Sequence, residues 1–334
     1  MKKTLFAVLA LAAVAACNKA EVVEQSAANA IAFDNAFVDN AVKSVSDPSF
    51  TNEKLFSDFA VFGFVEGATL FDGVQVSKEI TNGDLKNSTW KYSGTQYWIA
   101  GAKYNFSAVA PKTDGNWTDA TATKDGVSFT FTNNGKVDVL YAQTPEIEGK
   151  ASGNELVEFT FRHILSKVKF SFENGYNASN ATIRVKNVNI TNAHATGNVA
   201  LNANTAWTAQ TGTLELAFGN AAATAVDADQ AFAYGTTVES YNERLLIPGA
   251  VTNGYNVTFV VELLVGNQVV KTYNHTATVT FAPEAGKCYD IKAVINAQNI
   301  DPDHEQEPIE FTVATLPGWG DATNVDATVN NNKN

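Results

Sequence analysis

The chain is poor in the residues that most often do chemistry. It holds two cysteines, four histidines and one methionine in 334 residues. Cys17 follows an N-terminal apolar run, so Cys288 has no partner for an internal disulfide and stability must come from buried apolar surface. Positive charge is scarce too. Lys and Arg number 23 against 35 Asp and Glu, a formal net charge of −12, and the first arginine is Arg162. That balance lacks the basic footprint that nucleic acid requires, so no nucleic-acid partner is expected. No Gly-x-Ser-x-Gly elbow, P-loop, dinucleotide fingerprint or His-Glu-x-x-His sequence occurs. No enzyme activity, metal or cofactor is therefore expected. Amphipathic helices of twelve or more residues are also missing.

What remains is β-sequence. Hydrophobic residues make up 45% and aromatics 11%, enough for two buried cores. Alternation with period two marks strand after strand. Ile31, Phe33 and Phe37 form a first candidate strand, and residues 59–65 are apolar on both faces. Tyr104, Phe106, Ala108 and Ala110 alternate, as do Val127, Phe129 and Phe131. Phe159, Phe161, His163 and Leu165 share a face before Val168, Phe170 and Phe172 continue one residue out of register, as at a bulge or bend. Val257, Phe259, Val261, Leu263 and Val265 alternate most cleanly. Asn133-Asn134-Gly135, Pro248-Gly249, Asn253-Gly254 and Pro317-Gly318 supply turns.

The pattern reads as all-β, two β-sandwich domains. A polar stretch around residues 145–155 suggests the division: residues 30–150, then 151–334.

The N-terminus reads as an export signal. Lys2 and Lys3 precede residues 5–14, an uncharged apolar run too short to span a bilayer. It ends in Val14-Ala15-Ala16-Cys17, small residues before a cysteine. This is the lipobox pattern, with cleavage between Ala16 and Cys17 and a diacylglycerol on the thiol. Residues 1–16 are then signal peptide and 17–29 a lipidated tether, anchoring the chain in the outer membrane.

The few reactive side chains read blandly. His163 and His275 sit in strand registers among apolar neighbours, while His194 and His304 lie in polar, turn-like stretches. Asp301, Asp303, Glu305 and Glu307 lack the glycine and terminal glutamate of a calcium loop and read as a solvated linker. Cys288 shares a strand face with Asp290 and Lys292, opposite Tyr289 and Ile291, and reads as half-exposed. Trp90, Tyr92, Tyr97, Trp98 and Trp117 cluster in the first half, with Trp207 and Trp319 farther on. Exposed, they would form a sugar-binding platform; packed, they are core.

The order of motifs resembles the fimbrillin family, the subunits of type V pili. The resemblance runs through Phe59-Ala-Val-Phe-Gly-Phe64, Trp90, Tyr97-Trp98, Tyr104-Asn-Phe-Ser-Ala-Val-Ala-Pro111 and Val139-Leu-Tyr-Ala142. It continues through Phe159-Thr-Phe-Arg-His-Ile-Leu-Ser-Lys167, Leu246-Ile-Pro248, Ala285-Gly-Lys-Cys-Tyr-Asp290 and Pro317-Gly-Trp319. It implies two transthyretin-like β-sandwich domains in a surface lipoprotein that assembles into an adhesive pilus by donor-strand exchange. The partners would be other copies of itself or related pilus subunits, and host or bacterial surface ligands.

By the same resemblance the displaced first strand is Ile31, Phe33 and Phe37. The candidate donor strand is Ile309, Phe311 and Val313, or Val325 and Val329, or both, within residues 309–334. Arginine-directed maturation finds no arginine between the first two strands. Either a different protease acts in the loop from Val42 to Lys54, with Lys43 and Lys54 as candidate cleavage sites, or the chain is never cleaved and suits an anchor subunit. The alternative is a non-polymerising surface lipoprotein that binds glycans or host ligands.

Overall fold

The computed structural model describes residues 29–38, 58–81, 84–222, 230–300 and 307–316. Cys17, Ala16, Lys43, Lys54, Val325, Val329, His304 and Trp319 lie outside the described residues, as do Asp301, Asp303 and Glu305.

The chain is all-β. Its first half contributes β1 (Phe33–Val38), β2 (Asp58–Val65), β3 (Ala68–Thr81), β4 (Asp84–Tyr92), β5 (Lys103–Ala110), β6 (Trp117–Thr123), β7 (Gly126–Thr132), β8 (Leu140–Gln143), β9 (Ile147–Glu148) and β10 (Val157–His163). The second half contributes β11 (Ser166–Asn174), β12 (Ala181–Leu201), β13 (Thr205–Gly219), β14 (Phe232–Ala233), β15 (Thr237–Glu239), β16 (Arg244–Leu246), β17 (Tyr255–Val265), β18 (Gln268–Val279) and β19 (Cys288–Ile295). The one-turn helix α1 (Ala297–Ile300) and β20 (Phe311–Leu316) follow.

Three sheets result. An eight-stranded sheet runs β1-β10-β8-β5-β2-β3-β4, with β9 beside β5. A five-stranded sheet runs β15-β11-β19-β20, with β16 on β11. A seven-stranded sheet runs β18-β17-β12-β7-β6, with β13 and β14 on β12.

The pairing crosses the boundary expected at residue 150 in both directions. β10 follows that boundary yet pairs with β1 and β8, while β6 and β7 precede it and join β12. The register slip after Leu165 is not a bulge but a change of sheet. β10 ends at His163, Ile164 and Leu165 both enter a core, and β11 begins in the five-stranded sheet.

Alternation along each strand sorts side chains into three cores. Phe59 and Val61 of β2 face a first core with Phe106, Leu140 and Phe159. Ala60, Phe62 and Phe64 face a middle core with Phe129, Phe131, Val199 and Leu201. That is why β2 is apolar on both faces. A third core lies between the five- and seven-stranded sheets, where Phe170 and Phe172 meet Val185, Phe259, Ile291 and Phe311.

Arg162 ties the first sheet to the third. Its guanidinium lies 4.8 Å over the Tyr141 ring and donates to the Asn202 and Asn204 carbonyls in the β12–β13 turn.

Two sequence readings change. Cys288 is 7% exposed, not half-exposed, because its face of β19 is closed by the middle core. Burial pushes its thiol up to about 12, which leaves it a weak nucleophile. His194 lies within β12 rather than in a turn. His163 is buried and meets Asp138, Nδ1 to Oδ2 2.5 Å, and Lys167 Nζ lies 2.9 Å from Glu243 Oε2.

His275 on β18 stacks on Phe259 at 5.2 Å, and burial pushes its imidazole down to about 4. The unfolded chain, with a usual histidine pKa of about 6.5, therefore binds more protons between those values. Stability should fall as pH drops from about 6.5 toward 4. Urea midpoints at pH 7 and pH 5 should differ more in the wild type than in His275→Phe, which keeps the ring and removes the proton site.

Candidate strand-exchange site

The site is built on the first strand. Ile31 and Phe33 alternate inward from residues 29–33 and are 1% and 5% exposed. Phe33 enters a nest of aromatic rings. It stacks on Phe159 at 5.9 Å and meets Phe59 at 6.2, Phe71 at 5.7, Tyr92 at 5.4 and Phe106 at 6.2 Å edge-on. Edge-to-face contacts of this kind each add to plain area burial.

Gly63 on β2 makes the nest possible. A Cβ there would come within 2.6 Å of the Phe71 ring and 3.0 Å of the Phe106 ring. An isolated glycine in an apolar strand run is the sequence signal for such close approach.

The backbone of β1 is an edge strand, parallel to β10, with Phe33 opposite Val157 and Phe37 opposite Thr160. Phe37 is placed by its backbone alone. Before β1, the chain is stitched to the segment after β4. Ile31 N donates to Gln96 O at 2.8 Å and Trp98 N to Asn29 O at 3.0 Å, while Val157 N at the start of β10 donates to Ala32 O at 2.8 Å. The Tyr92 hydroxyl donates to Ile31 O at 2.7 Å. Burial raises its pKa, so it stays a donor.

The far side of the 39–57 connection is held differently. Asp58, 5% exposed at the start of β2, accepts hydrogen bonds from Lys112 N at 2.9 Å and Thr113 N at 3.1 Å. Its other oxygen accepts from Gln75 Nε2 at 2.7 Å and from the Thr113 hydroxyl. The sequence reading missed Asp58, a lone acid before an apolar run. Its bonds hold β2 to its neighbours without any help from β1.

The candidate donor residues divide. Ile309, Phe311 and Val313 are each 2% exposed, and Phe311 meets Phe170, Phe172 and Phe259 within 5.7–6.2 Å. β20 thus fills its own third core as the outer neighbour of β19.

The aromatic platform is largely packed away. Trp98 is 3% exposed, Trp90 and Tyr92 lie against the first core, and Trp117 and Trp207 against the middle core. Among the described residues no group of His, Cys, Asp and Glu could hold a metal ion, and no helix is long and apolar enough to cross a membrane.

This architecture can be set beside known proteins. The family model described as fimbrillin-like matches residues 45–315. The chain belongs to the fimbrillin-like family. No curated protein matches it.

Among solved structures, this fimbrillin-like chain is similar to a fimbrial protein from Bacteroides vulgatus. The TM-score is 0.60 at 15% identity, covering 87% of this chain and 100% of that one. A Bacteroides uniformis protein proposed to act in cell adhesion gives 0.49 at 17%, covering 89% and 100%. The fimbrial anchor protein Mfa2 of Porphyromonas gingivalis gives 0.37 at 12%, covering 87% and 97%. The first of these likenesses supports a shared fold. Family membership makes the chain a pilus-related surface protein.

Phe33→Ala should cost about 3–5 kcal/mol through the cavity it leaves, and Gly63→Ala about 1–3 kcal/mol by overpacking. Urea unfolding of the two variants and the wild type at neutral pH measures both. A Phe33→Ala loss below about 1 kcal/mol would contradict the aromatic nest.

Proposed function

We propose that this fimbrillin-like chain is a structural, non-catalytic pilus subunit. It is made as a lipoprotein precursor anchored through Cys17 and joined to its neighbours by strand exchange at the groove under β1. The observation that carries this reading is the asymmetry around residues 39–57. On one side β1 is an edge strand whose Phe33 fills the aromatic nest. On the other, β2 is central and pinned through Asp58. A cut between them lets β1 leave without taking β2 along.

Such a joint is β-augmentation, in which a foreign strand supplies ladder hydrogen bonds and side chains for existing pockets. Lys43 and Lys54 are the basic residues at which a protease would act. The same cut separates the polymerising body from the lipid at Cys17, whereas an uncut chain would stay at the fibre base as an anchor. The donor to the next subunit would come from residues 317–334, with Val325 and Val329, because Ile309 to Val313 already complete the third core. The glycan-binding alternative gains no support from Trp90, Trp98 or Trp117, which are engaged in packing.

Mass spectrometry of the N-terminus on intact cells and in sheared surface material tests the reading. A shaft subunit should show a new N-terminus within residues 39–57 in the sheared fraction. Acylated Cys17 as the sole form in both fractions would exclude processing and leave the anchor role. Absence of the chain from purified pili would remove the reading altogether.

A further inference from the structure

The groove under β1 is selective for what can refill it. Its deepest feature is the Phe33 nest, lined by Phe59, Phe71, Tyr92, Phe106 and Phe159, and Ile31 is buried two residues earlier. Gly63 fixes the depth of that nest, because it lets the Phe71 and Phe106 rings close in. A filling strand must therefore present a branched aliphatic residue and, two positions later, an aromatic ring. Protein interiors are packed too densely for a smaller residue to fill the same space.

This chain carries that Ile-x-Phe pattern twice, as Ile31-Ala32-Phe33 and as Ile309-Glu310-Phe311. The second copy is committed, since Ile309 and Phe311 are both 2% exposed in the third core. Residues 317–334 hold no pair of this kind. In residues 317–334 the alternating apolar positions are Val325, Ala327 and Val329, none larger than valine. The single aromatic there, Trp319, stands between Gly318 and Gly320, and Pro317 two residues before it cannot donate to a ladder.

Resting on the strand-exchange reading above, we infer that the groove of this subunit accepts its strand from a different kind of subunit, one whose donor segment carries an aliphatic-x-aromatic pair. The C-terminal tail of a second copy does not fill it. The chain then joins unlike neighbours and does not form a shaft of its own copies.

The test uses the chain from residue 18 onward with a site-specific protease sequence placed in residues 39–57. After cutting, a dye-labelled peptide of residues 30–38 is exchanged into the groove and read by fluorescence anisotropy. Competitors are the unlabelled 30–38 peptide, the 317–334 peptide, and the 317–334 peptide carrying V325I and A327F.

The inference expects the 30–38 peptide to compete and the native tail to be weaker by a hundredfold or more. The doubly substituted tail should recover at least about tenfold of that loss. A native tail that competes as well as the 30–38 peptide would overturn the inference and leave strand exchange standing. So would a substituted tail no better than the native one. If the labelled 30–38 peptide itself never binds the cut protein, the strand-exchange reading fails and this inference fails with it.

Discussion

Two of the three cores depend directly on one constraint, the shared use of β12. Over Ala181 to Ile190 it pairs with β17 and helps close the third core. Over Thr196 to Leu201 it pairs with β7 and helps close the middle core. A straight strand would present one continuous face to both. Register shifts after Val188, Ile190 and Thr196 re-aim the side chains between the two duties, which is the usual role of bulges. Once β12 is so placed, β6 and β7 are carried from the first half of the chain into the second half's sheet. The middle core then has the first sheet on one side and that sheet on the other. The junction is thereby a packed interior, and the first sheet has a rigid backing against which its other face can hold an aromatic nest.

That backing bears on the proposed departure of the edge strand. β2, β5 and β8 each place side chains in the middle core as well as the first one, so they stay covered when β1 goes. β10 loses its outer neighbour but keeps β8. Removing β1 would uncover the first-core rings around Phe33, as the proposed strand exchange requires.

The legible part of the fold follows this layering. β5, β7, β10, β11 and β17 could be read from alternation, and β2 from an unbroken apolar run because its two faces serve two cores. β12 and β13 could not. β12 changes its target midway and carries Asn187, Asn189 and Asn192 near its bulges, while most of β13 is exposed. The sheet change at Ile164 and Leu165 looks like a bulge in one dimension, since both events slip the alternation by one. Ile31 and Phe33 were readable as a first strand, but the rings that receive Phe33 come from β2, β3, β4, β5 and β10. No local pattern encodes that meeting. Gly63 was the available hint, a glycine where the strand otherwise wants bulk.

The energetics show why cleavage, rather than groove affinity, would set the direction of assembly. Ordering a strand costs about 1–2 kcal/mol per residue, while burying a side chain such as Phe33 contributes about 1.5–3 kcal/mol and each ladder hydrogen bond about 0.5–1.5 kcal/mol. These terms nearly cancel for any one strand, so the net hold is modest and the fit of the side chains to the Phe33 nest decides between one strand and another. The intact chain, however, holds β1 through residues 39–57, and a short tether of this kind keeps its end at an effective concentration on the order of millimolar. No free donor reaches that level, so an uncut subunit keeps its own strand. Cutting removes the tether, and the return of β1 becomes an ordinary bimolecular encounter in competition with a donor that is itself covalently part of a large neighbour. In the proposed assembly the groove would supply selectivity, and the broken peptide bond would supply irreversibility.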